Sequence, residues 1–177
     1  YDASIRAFES LNCFIFVATS AKEHINLNLL AHKVSELSLV PGFVIANYSA
    51  TDEKADLPAD DLIKNYLGNP DDQIECPTPS QRIVFGPSRR RVPNWFSLDL
   101  PVMLGAQKTN KAEVFEVMAS EKYFSDHLQD IITRAVAEFK AAFSEDLRLV
   151  TVESKKSSDA ILTNAHSVVE AYASTNI

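Results

Sequence analysis

Apolar residues along this chain follow two spacings, near 3.6 residues in stretches toward both ends and near 2 in part of the centre. Cys13-Phe14-Ile15-Phe16-Val17-Ala18 is an unbroken apolar run rich in aromatic and branched side chains, the pattern of a central strand buried on both faces. Ser20-Ala21-Lys22-Glu23 follows as a capping box, with a hydroxyl and a carboxylate three positions apart to satisfy the orphan N–H groups of a helix start. Leu27, Leu30, Val34 and Leu37 form the apolar stripe of that helix, which Pro41-Gly42 is expected to end. Phe43 to Tyr48 reads as the next strand, so the chain opens β-α-β, most simply a parallel pair with a right-handed crossover. Ahead of it, Ile5, Phe8 and Leu11 permit either a short helix or an irregular lead-in over 3–11.

All eight prolines lie between Pro41 and Pro101, so regular elements are expected to dominate the two ends, with turns and extended pieces between. Pro58 sits at a favourable first helical position, with Asp60 and Asp61 in the first turn where the helix dipole favours negative charge. That short helix carries Leu62, Ile63, Tyr66 and Leu67 and stops at Gly68. Gly68 to Ser80 reads as a long loop, and Arg82 to Phe85 as a short strand. Trp95 to Leu104 alternates, with Phe96, Leu98, Leu100, Val102 and Leu104 on one face; Pro101 confines it to a sheet edge or splits it in two. Gly105 to Lys111 reads as a polar hairpin loop into Glu113 to Met118.

From Tyr123 to Phe143, Phe124, Leu128, Ile131, Ile132, Ala135, Val136, Phe139 and Phe143 keep helical spacing, predicting a long amphipathic helix opened by Ser120. Asp130 with Arg134, and Arg134 with Glu138, are spaced to pair on its wet side. Leu147 to Val152 reads as a strand, and Ser158 as the cap of a final helix holding Ile161, Ala165, Val168, Val169 and Tyr172. The pattern predicts one α/β domain over 1–177, with α+β as the alternative. It has a mixed sheet packed by about four helices and a proline-rich, β-rich centre at 41–101.

Composition narrows the chemistry. With 177 residues, 46% hydrophobic and 23% charged, the chain is long enough to bury a full core without disulfides or structural metals. No apolar run reaches the roughly 18 residues of a membrane helix, and Tyr1-Asp2-Ala3 does not resemble the basic start of a secretory signal. A soluble protein of the cytoplasm or another reducing compartment is therefore expected, with no membrane partner. The four glycines, Gly42, Gly68, Gly86 and Gly105, are too far apart for a phosphate-cradling loop. Cys13 and Cys76 cannot form a closely spaced zinc or redox pair; Cys13 reads as a buried hydrophobe and Cys76 as the more exposed thiol. His24 and His32 lie on similar faces of the first helix without metal-ligand spacing, His127 reads as a solvated residue and His166 as a boundary one. No nucleophile elbow or Ser-x-x-Lys motif is present. The expectation is thus no cofactor, no metal and no catalytic constellation.

Thr19 and Ser20 stand at the carboxyl end of the first strand, where open α/β sheets bind ligands, although helix capping also accounts for them. The charge pattern is more distinctive. Residues 51–75 hold eight acids, among them Asp60, Asp61, Asp71 and Asp72, against two lysines, a local charge of −6. Residues 82–111 hold six bases, Arg82, Arg89, Arg90, Arg91, Lys108 and Lys111, against one acid, a local charge of +5. If these tracts occupy separate faces, they would bring copies of the chain together head to tail as a ring, stack or larger particle such as a virion, with Trp95 and Phe96 as apolar anchors. This non-enzymatic assembly role, as a homo-oligomer or with other protein subunits, is the leading expectation. The alternative is a small α/β enzyme or ligand-binding domain, with Thr19 and Ser20 and an arginine of the 89–91 cluster holding an anionic, phosphorylated ligand. Nucleic acid is a weaker partner, because a net charge of −7 repels a polyanion from most of the surface.

Overall fold

The structure, a computed structural model, describes residues 13–48, 54–94, 127–147, 149–153 and 160–163. Strand β1 spans Phe14–Ala18, helix α1 Ala21–Ser38, β2 Gly42–Ala46, α2 Asp60–Leu67, β3 Gln73–Glu75, α3 Pro79–Phe85, β4 Ser88–Arg90, α4 Leu128–Phe143, β5 Val150–Glu153 and β6 Ala160–Thr163. The four-stranded sheet is ordered β2-β1-β6-β5 and a separate hairpin pairs β3 with β4. β1 runs parallel to both β2 and β6, while β5 and β6 are antiparallel. The expected α/β domain on a mixed sheet is what the described residues form.

β1 is central and every residue in it is buried, as its unbroken apolar run requires. Its Phe14 and Phe16 pack with Leu27, Leu30 and Val34 of α1 and with Leu128, Ile131, Ile132 and Ala135 of α4. Burying each such side chain contributes roughly 1.5–3 kcal/mol, so this contact is the main adhesive of the fold. Gly42, the first residue of β2, is there because a Cβ at that point would lie 2.1 Å from the Phe14 ring. The parallel register Phe14↔Gly42 to Ala18↔Ala46 needs that close approach.

Ser20 caps α1, its Oγ accepting from the Glu23 backbone N–H at 3.2 Å. The Glu23 carboxylate reaches one residue further back than a capping box requires: Oε2 accepts from the Thr19 N–H at 2.6 Å and the Thr19 hydroxyl at 2.7 Å. The helix closes before Pro41-Gly42, at Leu39, which adopts a left-handed conformation and donates its N–H to Ser35 at 2.9 Å. Lys33, on the α1 side facing α2 and α4, is buried. Its Nζ donates to the Tyr66 carbonyl at 2.5 Å and pairs with Glu138 at 3.1 Å, so one cation joins three helices.

Three expectations are corrected. Arg82 to Phe85 belongs to helix α3, because the Thr78 hydroxyl accepts from the Gln81 N–H at 3.2 Å and Pro79 follows at the first helical position. That start signal outweighs the β-branched Ile83-Val84 pair. The expected loop from Gly68 to Ser80 contains β3, held by its ladder to β4. Ile161, assigned to a final helix, lies in β6 instead, paired with Ile15 and Val152 in the sheet. Helix α4 is present from Leu128, with His127 as its N-cap residue. The elements expected over 3–11, 95–104, 105–118, the helix start at Ser120 and residues from 164 onward, together with Ser158, Trp95, Phe96, Lys108, Lys111 and His166, lie outside the described residues.

Candidate ligand pocket

The two charged tracts meet within one subunit. In the hairpin, Gln73 faces Arg90, Ile74 faces Arg89 and Glu75 faces Ser88, and the ladder is extended by Arg91 N–H to the Asp72 carbonyl at 2.8 Å and Val92 N–H to the Pro70 carbonyl at 3.1 Å. This pairing lays the basic strand directly on the acidic one. Arg90 bonds Asp71 and Asn94, Arg91 lies 3.8 Å from Asp72 and 3.9 Å from Glu36, and Arg82 lies 3.8 Å from Glu75 while donating to the Cys76 carbonyl at 3.1 Å. Every base of the tract among the described residues thus has an internal acid or carbonyl partner. Asp60 and Asp61 are exposed in the first turn of α2. Cys76, expected at the surface, is fully buried beside this hairpin, its N–H bonded to the Pro87 carbonyl at 3.0 Å.

Arg89 was expected to contact phosphate; it is a buried cap of α1 instead. Its Nη2 donates to the carbonyls of Glu36 at 2.6 Å and Leu37 at 3.3 Å, its Nη1 to those of Arg90 at 2.9 Å and Arg91 at 2.5 Å, and its Nε to Gln81 Oε1 at 2.8 Å. All five guanidinium donors are used. Gln81 completes the cap, its Nε2 donating to Leu37 at 2.8 Å and Ser38 at 3.2 Å. Helix α1 has no basic residue in its own last turn, so a cation from β4 meets the negative end of its dipole. Burial lowers the Arg89 pKa, as does nearby Arg91, while Cys76 and Glu36 act in the opposite sense.

Beside this cap is a pocket of about 430 Å³, at the amino end of β1 and β2, lined by His32, Ser35, Glu36, Leu39, Val40, Pro41, Arg91, Val92 and Pro93. Its volume lies within the range of small-molecule sites. One end is charged. Glu36 Oε1 accepts from His32 Nε2 at 3.0 Å, a bond that, with the carboxylate charge, raises the His32 pKa against the opposing effect of desolvation. The other Glu36 oxygen faces Arg91 Nη1 across 3.9 Å, beyond hydrogen-bond distance. Gly68 lets the guanidinium through: its φ is +79°, and a Cβ there would lie 2.7 Å from Arg91 Nη2. Among the described residues, three buried side-chain polar atoms have no hydrogen-bond partner, Glu23 Oε1, Glu36 Oε2 and Arg91 Nε. Two of the three belong to residues that line this pocket, but the atoms themselves are shielded from solvent.

Thr19 and Ser20 stand at the opposite end of α1, roughly 27 Å away along an 18-residue helix. Their groups are engaged in capping, so the structure does not bring them together with the arginine cluster. A hollow of about 620 Å³ near them includes His24 and Tyr48, but His24 Nδ1 and the Tyr48 hydroxyl bond each other at 2.9 Å. Among the described residues no group of three or more His, Cys, Asp or Glu side chains is placed to hold a metal, and no helix is long and apolar enough to cross a membrane. The sequence reading missed the His32–Glu36 pair, for which the i, i+4 spacing was the available signal; the arrival of Arg91 beside them depends on the hairpin.

Compared with protein-family models, curated proteins and solved structures, the chain matches none of them.

Proposed function

We propose that this chain is a ligand-binding α/β domain that holds a small, mainly apolar molecule in the pocket at the carboxyl end of α1. The observation that carries this reading is the cavity of about 430 Å³ walled by Leu39, Val40, Pro41, Val92 and Pro93, with His32, Glu36 and Arg91 also in its lining. Such an arrangement supplies burial for an apolar body beside a few charged side chains. A phosphorylated ligand is disfavoured there, because Arg91 already has Glu36 and Asp72 within 4 Å on either side. A thermal-shift screen of small apolar and amphiphilic compounds is expected to yield ligands that raise the melting temperature by several degrees. Val92→Trp, which puts an indole into the cavity, should abolish that stabilisation. Ligands that stabilise the Trp variant equally well, or the lack of any stabilising compound, would sink the proposal.

Self-association is a second reading, now on apolar grounds. Pairing of Arg90 with Asp71 and Arg91 with Asp72 inside the subunit takes up part of the charge complementarity that favoured head-to-tail contacts. Ile83 and Val84 on α3 remain exposed, at 85% and 67%, and adjacent apolar residues of this kind mark contact surfaces when they form part of a larger patch. Light scattering at low and high salt separates the cases. Association that survives high salt and is lost in Ile83→Glu supports the α3 surface, whereas a monomer under all conditions leaves only the ligand reading.

A further inference from the structure

We infer that helix α2 is a flap that opens on its own while the rest of the fold stays closed, with Tyr66 as its latch. Of its eight residues Tyr66 is the only one buried, whereas α1 buries nine of eighteen and α4 five of sixteen. A helix of eight residues has little stability of its own in water, so α2 persists through its contacts with the other elements. Its apolar face is only partly used for them: Leu62 is 39% exposed, and Ile63 and Leu67 are half-buried.

Among the described residues, both hydrogen bonds from α2 to other elements are made by Tyr66. Its hydroxyl donates to the Ala135 carbonyl at 3.1 Å, and its carbonyl accepts from Lys33 Nζ at 2.5 Å. The Tyr66 ring meets Phe139 and Phe143 edge-on, with centroids 5.3 and 5.5 Å away. Packing beside this latch is incomplete, leaving a hollow of about 240 Å³ lined by Lys33, Asn65, Tyr66, Glu138, Ala141 and Ala142. Neither end of α2 compensates. Ala59 stands at the N-cap without a side-chain bond, residues 54–59 form no helix or strand, and Leu57 is 75% exposed. At the other end Gly68, with a φ of +79°, provides a hinge. A segment with so few buried contacts opens at a lower free energy than the core. Opening withdraws the Tyr66 ring from Phe139 and Phe143 and takes a carbonyl away from Lys33, which keeps Glu138 at 3.1 Å. The surface at this corner of the fold therefore depends on the state of one side chain.

Native-state hydrogen exchange on the full chain, read amide by amide, tests this. Amides 63–67 are expected to show protection about 100-fold lower than amides 27–34 of α1 and 132–139 of α4. Val34→Ala weakens the core cluster, of which Tyr66 is not a member. It should speed exchange in α1 and α4 about tenfold and leave α2 unchanged, because that core is intact whether the flap is open or closed. Tyr66→Phe removes one buried hydrogen bond and should speed exchange in α2 about fivefold. Protection of α2 equal to that of α1 and α4, or acceleration of all three helices together in Val34→Ala, would overturn the flap. Unchanged α2 exchange in Tyr66→Phe would overturn the assignment of its hydroxyl to the latch. If Val34→Ala fails to fold, the comparison of the three helices in the unaltered chain still decides.

Discussion

The two ends of helix α1 solve the same problem by different means. At the amino end, the orphan N–H groups and the residues leading in are satisfied within five positions: Ser20 Oγ takes the Glu23 N–H and the Glu23 carboxylate takes the N–H and hydroxyl of Thr19. At the carboxyl end, the carbonyls of Glu36, Leu37 and Ser38 are taken by Arg89 and Gln81, more than forty positions away in the chain. A local cap forms with the helix. A distant cap forms only when the hairpin docks, so the carboxyl end of α1, the hairpin and the pocket between them stand or fall together.

The most severe way to break that asymmetry is Arg89→Met, which keeps apolar bulk but removes five donors from buried carbonyls. A loss of about 3 kcal/mol is expected in urea unfolding. A loss under about 1 kcal/mol would mean that the docked hairpin adds little to the end of α1. Gly68→Ala should come next, at about 1–2 kcal/mol, because it combines a positive φ of 79° with a methyl group pressed onto the Arg91 guanidinium. Its more telling effect is on the pocket: displaced from Glu36, Arg91 should no longer support ligand binding even where the chain remains folded. Binding unchanged in Gly68→Ala would show that the position of Arg91 is immaterial.

The same division explains what could be read from the sequence. β1, α1, β2 and α2 carry their signals locally, in an apolar run, a capping Ser, a 3.6-residue stripe and paired acids in a first turn, and they were legible. β6 was not, because Ile161 and Leu162 suit a helical stripe locally and only pairing with β1 and β5 makes them a strand. α3 was misread although Thr78-Pro79 announces a helix start, since Ile83-Val84-Phe85 draws attention as a strand. For the site, the sequence reading treated Arg89, Arg90 and Arg91 as one basic surface, but three adjacent arginines meet three environments. Arg89 turns into the cap, Arg90 outward to Asp71, and Arg91 to the pocket, following the alternation of a strand exit that net charge per segment does not record.

Ser20→Ala tests the amino end. It removes one local cap bond and should cost about 1 kcal/mol, less than Arg89→Met, because solvent can take over an N–H at a partly exposed helix start. The ligand pocket at the other end should be unaffected. A cost as large as that of Arg89→Met would erase the contrast between local and distant caps.

The smallest expected effect is also the one with opposite signs at the two ends. Near the carboxyl end, the hydrogen bond from His32 to Glu36 raises the His32 pKa above its ordinary value of 6.5. A group whose folded pKa is raised stabilises the fold fully below its unfolded pKa, and the contribution is lost as pH rises through the folded one. Near the amino end, Glu145 accepts from Lys22 at 2.7 Å and from Asn26 at 3.2 Å, which lowers its pKa below 4.5. That contribution is present above pH 4.5 and is lost as pH falls through the lowered value. Because the His32 side chain is 61% exposed, solvent limits its share to a few tenths of a kcal/mol. His32→Gln should therefore flatten only the decline in stability above pH 6.5, and Glu145→Gln only the decline below pH 4.5. Unfolding curves in which either variant alters both limbs would show that the two ends of α1 are electrostatically coupled through the helix rather than independent.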